Sequence, residues 1–260
     1  MSHAADAPEP GVASLEIERK YEASRGVLLP RDFSAAGLVA EAPVMHRLVA
    51  RYFDTATGKL ARRGFALRSR AGGKDAGWHL KQRGADGVRE LLWPPAEAMP
   101  DGLRAELRER IGAAADAVRE IAELRTERSV VVLRDASGAA RVELADDSVR
   151  ARSFAEGDAP VSRAWREWEA ELLAGDARIL DLVEPVLLAA GATHSLSFAK
   201  IARATGQLGA AARAAGAGAE TLAALAALDR ADRAAGTAGT ADAGSTGAAA
   251  AGAGAADAGS

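Results

Sequence analysis

The chain has 260 residues, with 36 acidic against 33 basic side chains and a formal net charge of −3. That balance gives no argument for nucleic acid or an anionic membrane as a partner, and the absence of cysteine excludes disulfides, thiolate metal sites and a cysteine nucleophile. Residues 1–11 are polar without an apolar signal core, and no run approaches the ~18 apolar residues of a membrane span, so a soluble, cytoplasmic protein is expected.

Residues 15–22 alternate like a β-strand, with Glu16, Glu18 and Lys20 on one face and Leu15, Ile17, Arg19 and Tyr21 on the other. Side chains two apart on a strand sit roughly 6.5–7 Å apart on the same face, a spacing at which two carboxylates and an ammonium straddle a divalent metal and a phosphate. Taken alone the segment reads first as a solvated edge strand. The reading as a site depends on matching charged faces elsewhere.

Next come a strand over 45–54 and a short helix over 55–63, capped by Thr55 or Asp54 and closed by Gly64. Residues 65–70 and 78–83 form a hairpin around Gly72-Gly73, and Asp86-Gly87 turns the chain into a strand over 88–93 that Pro94, Pro95 and Pro100 end. Residues 101–110 and 113–124 read as helices with charged outer faces; 126–134 and 140–151 read as a hairpin around Asp135 to Gly138. A strand over 165–173 precedes an amphipathic helix over 176–190, with Ile179, Leu180, Val183, Val186 and Leu187 on one side and Gly191 after it. About eight strands in hairpin order predict an α+β fold, an antiparallel barrel or sheet with flanking helices.

Composition shifts near Thr205. Residues 204–235 read as a linker with a short helix over 220–233, where Leu222, Leu225 and Leu228 recur every three residues. Residues 236–260 are nearly all Ala, Gly, Thr, Ser and Asp, with too little large apolar surface to offset ordering entropy, and a disordered tail is expected there.

Strand parity gives a recurring result. Arg68 and Arg70 lie opposite Leu67; His79, Lys81 and Arg83 lie opposite Trp78 and Leu80. Arg141, Glu143 and Asp147 lie opposite Val142 and Leu144; Glu167, Glu169 and Glu171 lie opposite Trp168 and Leu172. Signs segregate by strand, acidic first and last and basic in the middle. If the sheet closes, these charges converge in one lumen. Unpaired burial would cost several kcal/mol per ion, so the lumen must be wet and must hold compensating ligands. A polyanion with bound Mg²⁺ satisfies both signs.

These residues, in order, resemble the CYTH superfamily, the triphosphate tunnel metalloenzymes, over residues 13–203. The likeness rests on Glu16-x-Glu18-x-Lys20, Tyr52-Phe53-Asp54-Thr55, Leu67-Arg68-x-Arg70, Leu80-Lys81, Arg128, Val142-Glu143-Leu144-x-Asp146-Asp147, Glu169-x-Glu171-Leu172 and Lys200 after Ser197. It implies an eight-stranded antiparallel β-barrel with the active site inside. By the same resemblance Glu16, Glu18, Glu169 and Glu171 bind the metal, Mg²⁺ or alternatively Mn²⁺, with Glu143 or Asp146 assisting. Lys20, Arg68, Arg70, Lys81, Arg128 and Lys200 hold a triphosphate, and Lys20 is the candidate catalytic cation. Thr126 stands where many relatives have a basic residue, which leaves open whether Arg125 or Arg128 points inward. The implied reaction is metal-dependent hydrolysis of a small triphosphate, foremost inorganic tripolyphosphate. Alternatives are a thiamine triphosphatase, with Trp165 as the aromatic clamp, a class IV adenylate cyclase and a non-catalytic polyphosphate or nucleotide sensor.

Other signals are weaker. Gly58-Lys59 lacks the first glycine of a phosphate loop, and the four histidines have no metal-ligand spacing, although His79 shares a face with Lys81.

Overall fold

The computed structural model describes residues 9–154 and 158–245. Strands β1 (Val12–Glu16), β2 (Glu18–Glu22), β3 (Asp32–Phe33), β4 (Leu38–Ala40), β5 (Val44–Asp54), β6 (Phe65–Ala71), β7 (Gly77–Arg83) and β8 (Val88–Trp93) precede helix α1 (Asp101–Ile111). Then follow β9 (Arg119–Arg134), β10 (Ala140–Ser153), β11 (Val161–Leu172), α2 (Ile179–Ala189), β12 (Thr193–His194), α3 (Lys200–Ala204), α4 (Leu208–Ala214) and α5 (Ala219–Ser245).

Among the described residues the strands form one 12-stranded sheet in the order β1-β8-β7-β6-β5-β9-β10-β11-β2-β12, with β4 joining β3 to β9. Each pairing is antiparallel. The expected eight-stranded closed barrel is therefore corrected: the hydrogen-bonded path has two ends and does not close. The reason lies in the first strand, which breaks at Ile17. Its first half pairs with β8 and its second half with β11, so one short piece of chain borders both flanks of the sheet without the halves pairing to each other.

The outer face carries the apolar half of each alternation. Leu103, Leu107 and Ile111 of α1 pack on Leu67, Leu80, Trp78 and Trp93. Leu180, Val183 and Leu187 of α2 pack with Tyr21, Leu133, Leu144 and Trp168. Burying a side chain of this size contributes roughly 1.5–3 kcal/mol, which fixes each strand's register and turns its charged face inward. A third cluster, Ala50, Tyr52, Leu124, Val149, Ala151 and Trp165 with Ala204 of α3, occupies the inner face at one end. Charge is thereby confined to the rest of the lumen.

Other expectations needed correction. Residues 113–124 are not one helix: a 3-10 segment, Gly112–Ala117, ends at Val118 and β9 begins at Arg119. The Ala-rich run has helical propensity, but Leu124 is paired between Ala50 of β5 and Ala151 of β10 and is buried, and that packing overrides propensity. Residues 55–63 hold only a 3-10 turn, Ala61–Arg63. The buried Asp54 carboxylate accepts the backbone N–H groups of Thr55, Leu60 and Ala61 at 2.7, 2.8 and 3.0 Å, closing a loop rather than capping a helix. The helix expected over 220–233 is longer, as α5 runs from Ala219 through Gly236 to Ser245. The remainder of the expected disordered tail, 246–260, lies outside the described residues.

Candidate functional site

Three groups of charge share the lumen. The deepest is a carboxylate trio from β10 and β11, Asp147, Glu167 and Glu169, whose oxygens lie within 4.8 Å of one another. It is saturated with cations. Lys200 Nζ, delivered by the first turn of α3, reaches Asp147 at 3.0 Å, Glu167 at 2.5 Å and Glu169 at 2.7 Å. Arg128 of β9 donates to both oxygens of Asp147, at 2.7 and 2.6 Å, and to Glu169 at 2.7 Å. Lys20 of β2 donates to Glu169 and sits 3.0 Å from Glu18. Burial alone would raise Glu169, but Lys20, Lys200 and Arg128 outweigh it and hold its carboxyl well below the usual range. Burial would likewise lower Lys20, but Glu169 and Glu18 raise it, so it remains an ammonium.

Nearer the break in the first strand, the balance reverses. Glu18 faces Glu171 across the β2–β11 ladder, and Glu171 faces Glu143 across β11–β10. Glu16 is held by Lys81, and Lys74 of the β6–β7 turn reaches Glu143 at 2.5 Å. Burial, then Glu16, Glu143 and Glu18, against Lys81, push Glu171 up to about 7. Glu16 is raised too, chiefly by burial with Glu90 adding to it and Lys81 opposing. Here carboxylates outnumber their cations. An all-oxygen donor set crowded enough to keep a proton at neutral pH fits a hard divalent cation of the Mg²⁺ class.

The third group is basic. Arg68 and Arg70 on β6 share a face with Arg128, and burial followed by Arg68, with Arg128 adding and Asp75 opposing, pushes Arg70 down to about 10. Arg70 donates to the Asp75 carboxylate at 3.0 Å. Arg68 is weakly held: its contacts to Tyr52 Oη and Glu90 are 3.5 and 3.9 Å, and its buried Nε has no hydrogen-bond partner among the described residues. Buried N–H donors are rarely left unmet, so this guanidinium presents a donor that a ligand oxygen would satisfy.

Of the residues singled out in the sequence, the structure brings together Glu16, Glu18, Lys20, Arg68, Arg70, Lys81, Arg128, Glu143, Glu169, Glu171 and Lys200. It does not bring Asp146, which sits on the other face of β10 and makes a two-toothed pair with Arg166 at 2.8 and 2.7 Å. The choice between Arg125 and Arg128 resolves by parity: Arg125 is exposed and pairs with Glu123 at 2.9 Å, while Arg128 enters the lumen. Trp165 is buried rather than at a mouth. Its ring lies 4.9 Å from the Arg203 guanidinium and its Nε1 donates to Glu167 at 2.8 Å.

Sequence reasoning missed Glu90 and Lys74. Glu90 of β8 bonds His79 Nδ1 at 2.8 Å and lies 3.5 Å from Lys81; His79 Nε2 donates to the Asp75 carbonyl at 2.9 Å. Burial would raise Glu90, but His79, Lys81 and Arg68 hold it far below the usual range. Its signal was available, because the hairpin around Asp86-Gly87 sets Glu90 directly opposite Lys81. Lys74 sits in a turn, where parity gives no direction.

Crowding around Glu171 has a measurable consequence. Because a cation binds the ionised carboxylates, Mg²⁺ binding is expected to release protons near pH 6.5 and almost none near pH 9, with affinity rising by up to about tenfold per pH unit below 7. Calorimetry in two buffers of different ionisation enthalpy measures this; pH-independent binding would contradict the assignment.

The CYTH domain family model matches residues 14–204, and the chain belongs to that family. It is 35% identical over 215 residues, 77% of this chain, to two uncharacterized proteins of Mycobacterium tuberculosis, strains CDC 1551 / Oshkosh and ATCC 25618 / H37Rv; the match spans 42% of the length of each. Among solved structures, a putative adenylate cyclase from Bacillus halodurans shares the fold at a TM-score of 0.53 and 18% identity, over 74% of this chain and 97% of that one. A putative adenylyl cyclase from Hippeastrum, described as having a dominant triphosphatase activity, aligns at a TM-score of 0.42 and 21% identity, over 80% of this chain and 99% of that one. Among the described residues no helix is long and apolar enough to cross a membrane.

Proposed function

We propose that the chain hydrolyses a small triphosphate, foremost inorganic tripolyphosphate, with a divalent cation, Mg²⁺ or Mn²⁺. One observation carries the reading: a crowded set of carboxylates and a crowded set of guanidiniums lie side by side in one lumen, each short of the opposite charge. Burial raises Glu171 and its acidic neighbours raise it further; burial lowers Arg70 and its basic neighbours lower it further. A metal–polyphosphate complex relieves both, and neither a bare cation nor a bare anion does.

Glu16, Glu18, Glu143 and Glu171 would hold the cation, with Glu169 set deeper among ammonium groups. Once bound, the cation supplies Lewis-acid polarisation of the phosphoryl oxygens. Arg68, Arg70 and Lys81 neutralise the equatorial oxygens, and positioning with charge neutralisation carries most of the catalysis in phosphoryl transfer. Lys20, kept protonated between Glu18 and Glu169, acts as a fixed cation and not as a base. Arg128 and Lys200 hold Asp147, Glu167 and Glu169 as a rigid inner wall and meet phosphate from that side. The thiamine reading loses its aromatic clamp, because Trp165 is engaged by Arg203 and Glu167.

The test is turnover of tripolyphosphate, thiamine triphosphate and ATP with Mg²⁺ and with Mn²⁺, products identified. Orthophosphate from tripolyphosphate is expected; pyrophosphate with cyclic AMP from ATP marks a cyclase instead, and no product from any of them marks a sensor. In the same assay Glu18→Gln is expected to lose turnover by about 10²-fold or more while remaining folded. Full activity in that variant would remove Glu18 from the metal site.

A further inference from the structure

Helix α5 begins after residue 204, where the family match ends, yet it is wired to the catalytic wall. It packs along β11, so closely that a Cβ on Gly236 would lie 2.7 Å from the Arg163 backbone. Two buried arginines meet its acidic residues. Arg163 of β11 donates to Asp229 at 2.7 Å and to the Ala204 carbonyl at 2.8 Å, which ties the end of α3 to α5. Arg203 of α3 donates to both oxygens of Asp232, at 2.7 and 3.0 Å, and to both of Glu22, at 2.8 and 3.0 Å.

Arg203 has one more carboxylate within reach, Glu167 at 3.7 Å, and Glu167 is also the 2.5 Å partner of Lys200 three residues earlier in α3. Two cations of one short helix therefore share Glu167, and Asp232 decides the division by drawing Arg203 away. Without the Asp232 charge, Arg203 keeps only Glu22 and the more distant Glu167, and its shift towards Glu167 weakens the contact that holds Lys200 against Glu169 and Asp147.

We infer that α5 is a positioning element of the active site and Asp232 its positioning residue: by holding Arg203, Asp232 leaves Glu167 to fix Lys200. The inference rests on the reading of the lumen as a triphosphate site only for its effect on turnover; the placement of Lys200 is read independently.

Two measurements on the full chain test it. The first is the acetylation rate of Lys200 relative to Lys59 in one metal-free sample, read by mass spectrometry. Asp232→Asn is expected to raise that ratio severalfold, and Asp232→Glu to return it to the wild-type value. Gly236→Val, which keeps every charged side chain but has no room against Arg163 and so moves α5 and Asp232 away from Arg203, is expected to raise it as Asp232→Asn does and serves if Asp232→Asn does not fold. The second is tripolyphosphate turnover, in which Asp232→Asn is expected to lower kcat by about ten- to a hundredfold with recovery in Asp232→Glu. A wild-type Lys200:Lys59 ratio in folded Asp232→Asn or folded Gly236→Val overturns the inference whatever the turnover. A raised ratio in a protein that turns over no triphosphate upholds the positioning of Lys200 and overturns the proposed function alone.

Discussion

Arg68→Met is expected to lower kcat/KM for tripolyphosphate by about 10²–10³-fold, the loss seen when a preorganised charge-stabilising donor is removed from an active site. Structural arginines lose stability with activity; this one is not expected to. Its Nε has no partner among the described residues, and its other contacts, to Tyr52 and Glu90, are long. Its charge burdens its neighbour, since Arg68 is the largest contributor after burial to the lowering of Arg70. Removing it breaks no short ion pair, and relief of the like-charge contact with Arg70 offsets the lost attraction to Glu90. The melting temperature of Arg68→Met should therefore stay close to that of the wild type, while the stabilisation that magnesium tripolyphosphate gives the wild type should largely vanish. Parallel loss of several kcal/mol of stability would reassign Arg68 to the scaffold.

Glu169→Gln should behave in the opposite way, losing stability of about 3 kcal/mol near neutral pH because three buried cations lose a shared counter-charge. For a chain of this size that corresponds to a fall of roughly 6–12 °C in melting temperature. The sign with pH follows from the depressed carboxyl of Glu169, held far below its ordinary 4.5. A group with a lowered folded-state value contributes stability that is fully present above the unfolded value. That contribution is lost as pH falls from about 4.5 towards the folded value. The gap between wild type and variant should thus be widest above about pH 5 and narrow progressively below 4.5. Melting curves at pH 7.5 and 3.5 measure it, and an equal gap at both would remove the ion-pair explanation.

Much of the site was legible because strand parity and helical periodicity are local. Glu16, Glu18, Lys20, Arg68, Arg70, Lys81, Glu143 and the Glu167-Glu169-Glu171 series could be set on one face from spacing alone, and the register places them there. Asp146 was misassigned in the acidic run Asp146-Asp147, where sequence likeness offered one more carboxylate than parity allows. Lys74 and Glu90 escaped for different reasons. A turn residue has no face to assign, and a lone glutamate between Arg89 and Leu91 carries no obvious alternation until its partner across the hairpin is known.

The C-terminal region shows the limit most clearly. Residues 220–233 read as a short helix, marginal on its own, and residues from 236 onward look too poor in large apolar side chains to order themselves. What orders the described helix is a close backbone approach at Gly236 together with Asp229 and Asp232 meeting Arg163 and Arg203, partners 66 and 29 residues away. No local pattern announces such pairs.

The sequence by itself determined which side chains turn inward, because a two-residue period and burial of Leu67, Leu80, Leu144 and Trp168 leave each strand one choice of face. It thereby determined that acids and bases would share one lumen. Tertiary structure alone decided how those charges divide: which carboxylates are already satisfied by Lys200 and Arg128, and which, around Glu171, still lack a cation. Pairing across strands distant in sequence depends on distances of a few ångströms that only the folded sheet sets, and Coulomb energies in a buried site change steeply over that range.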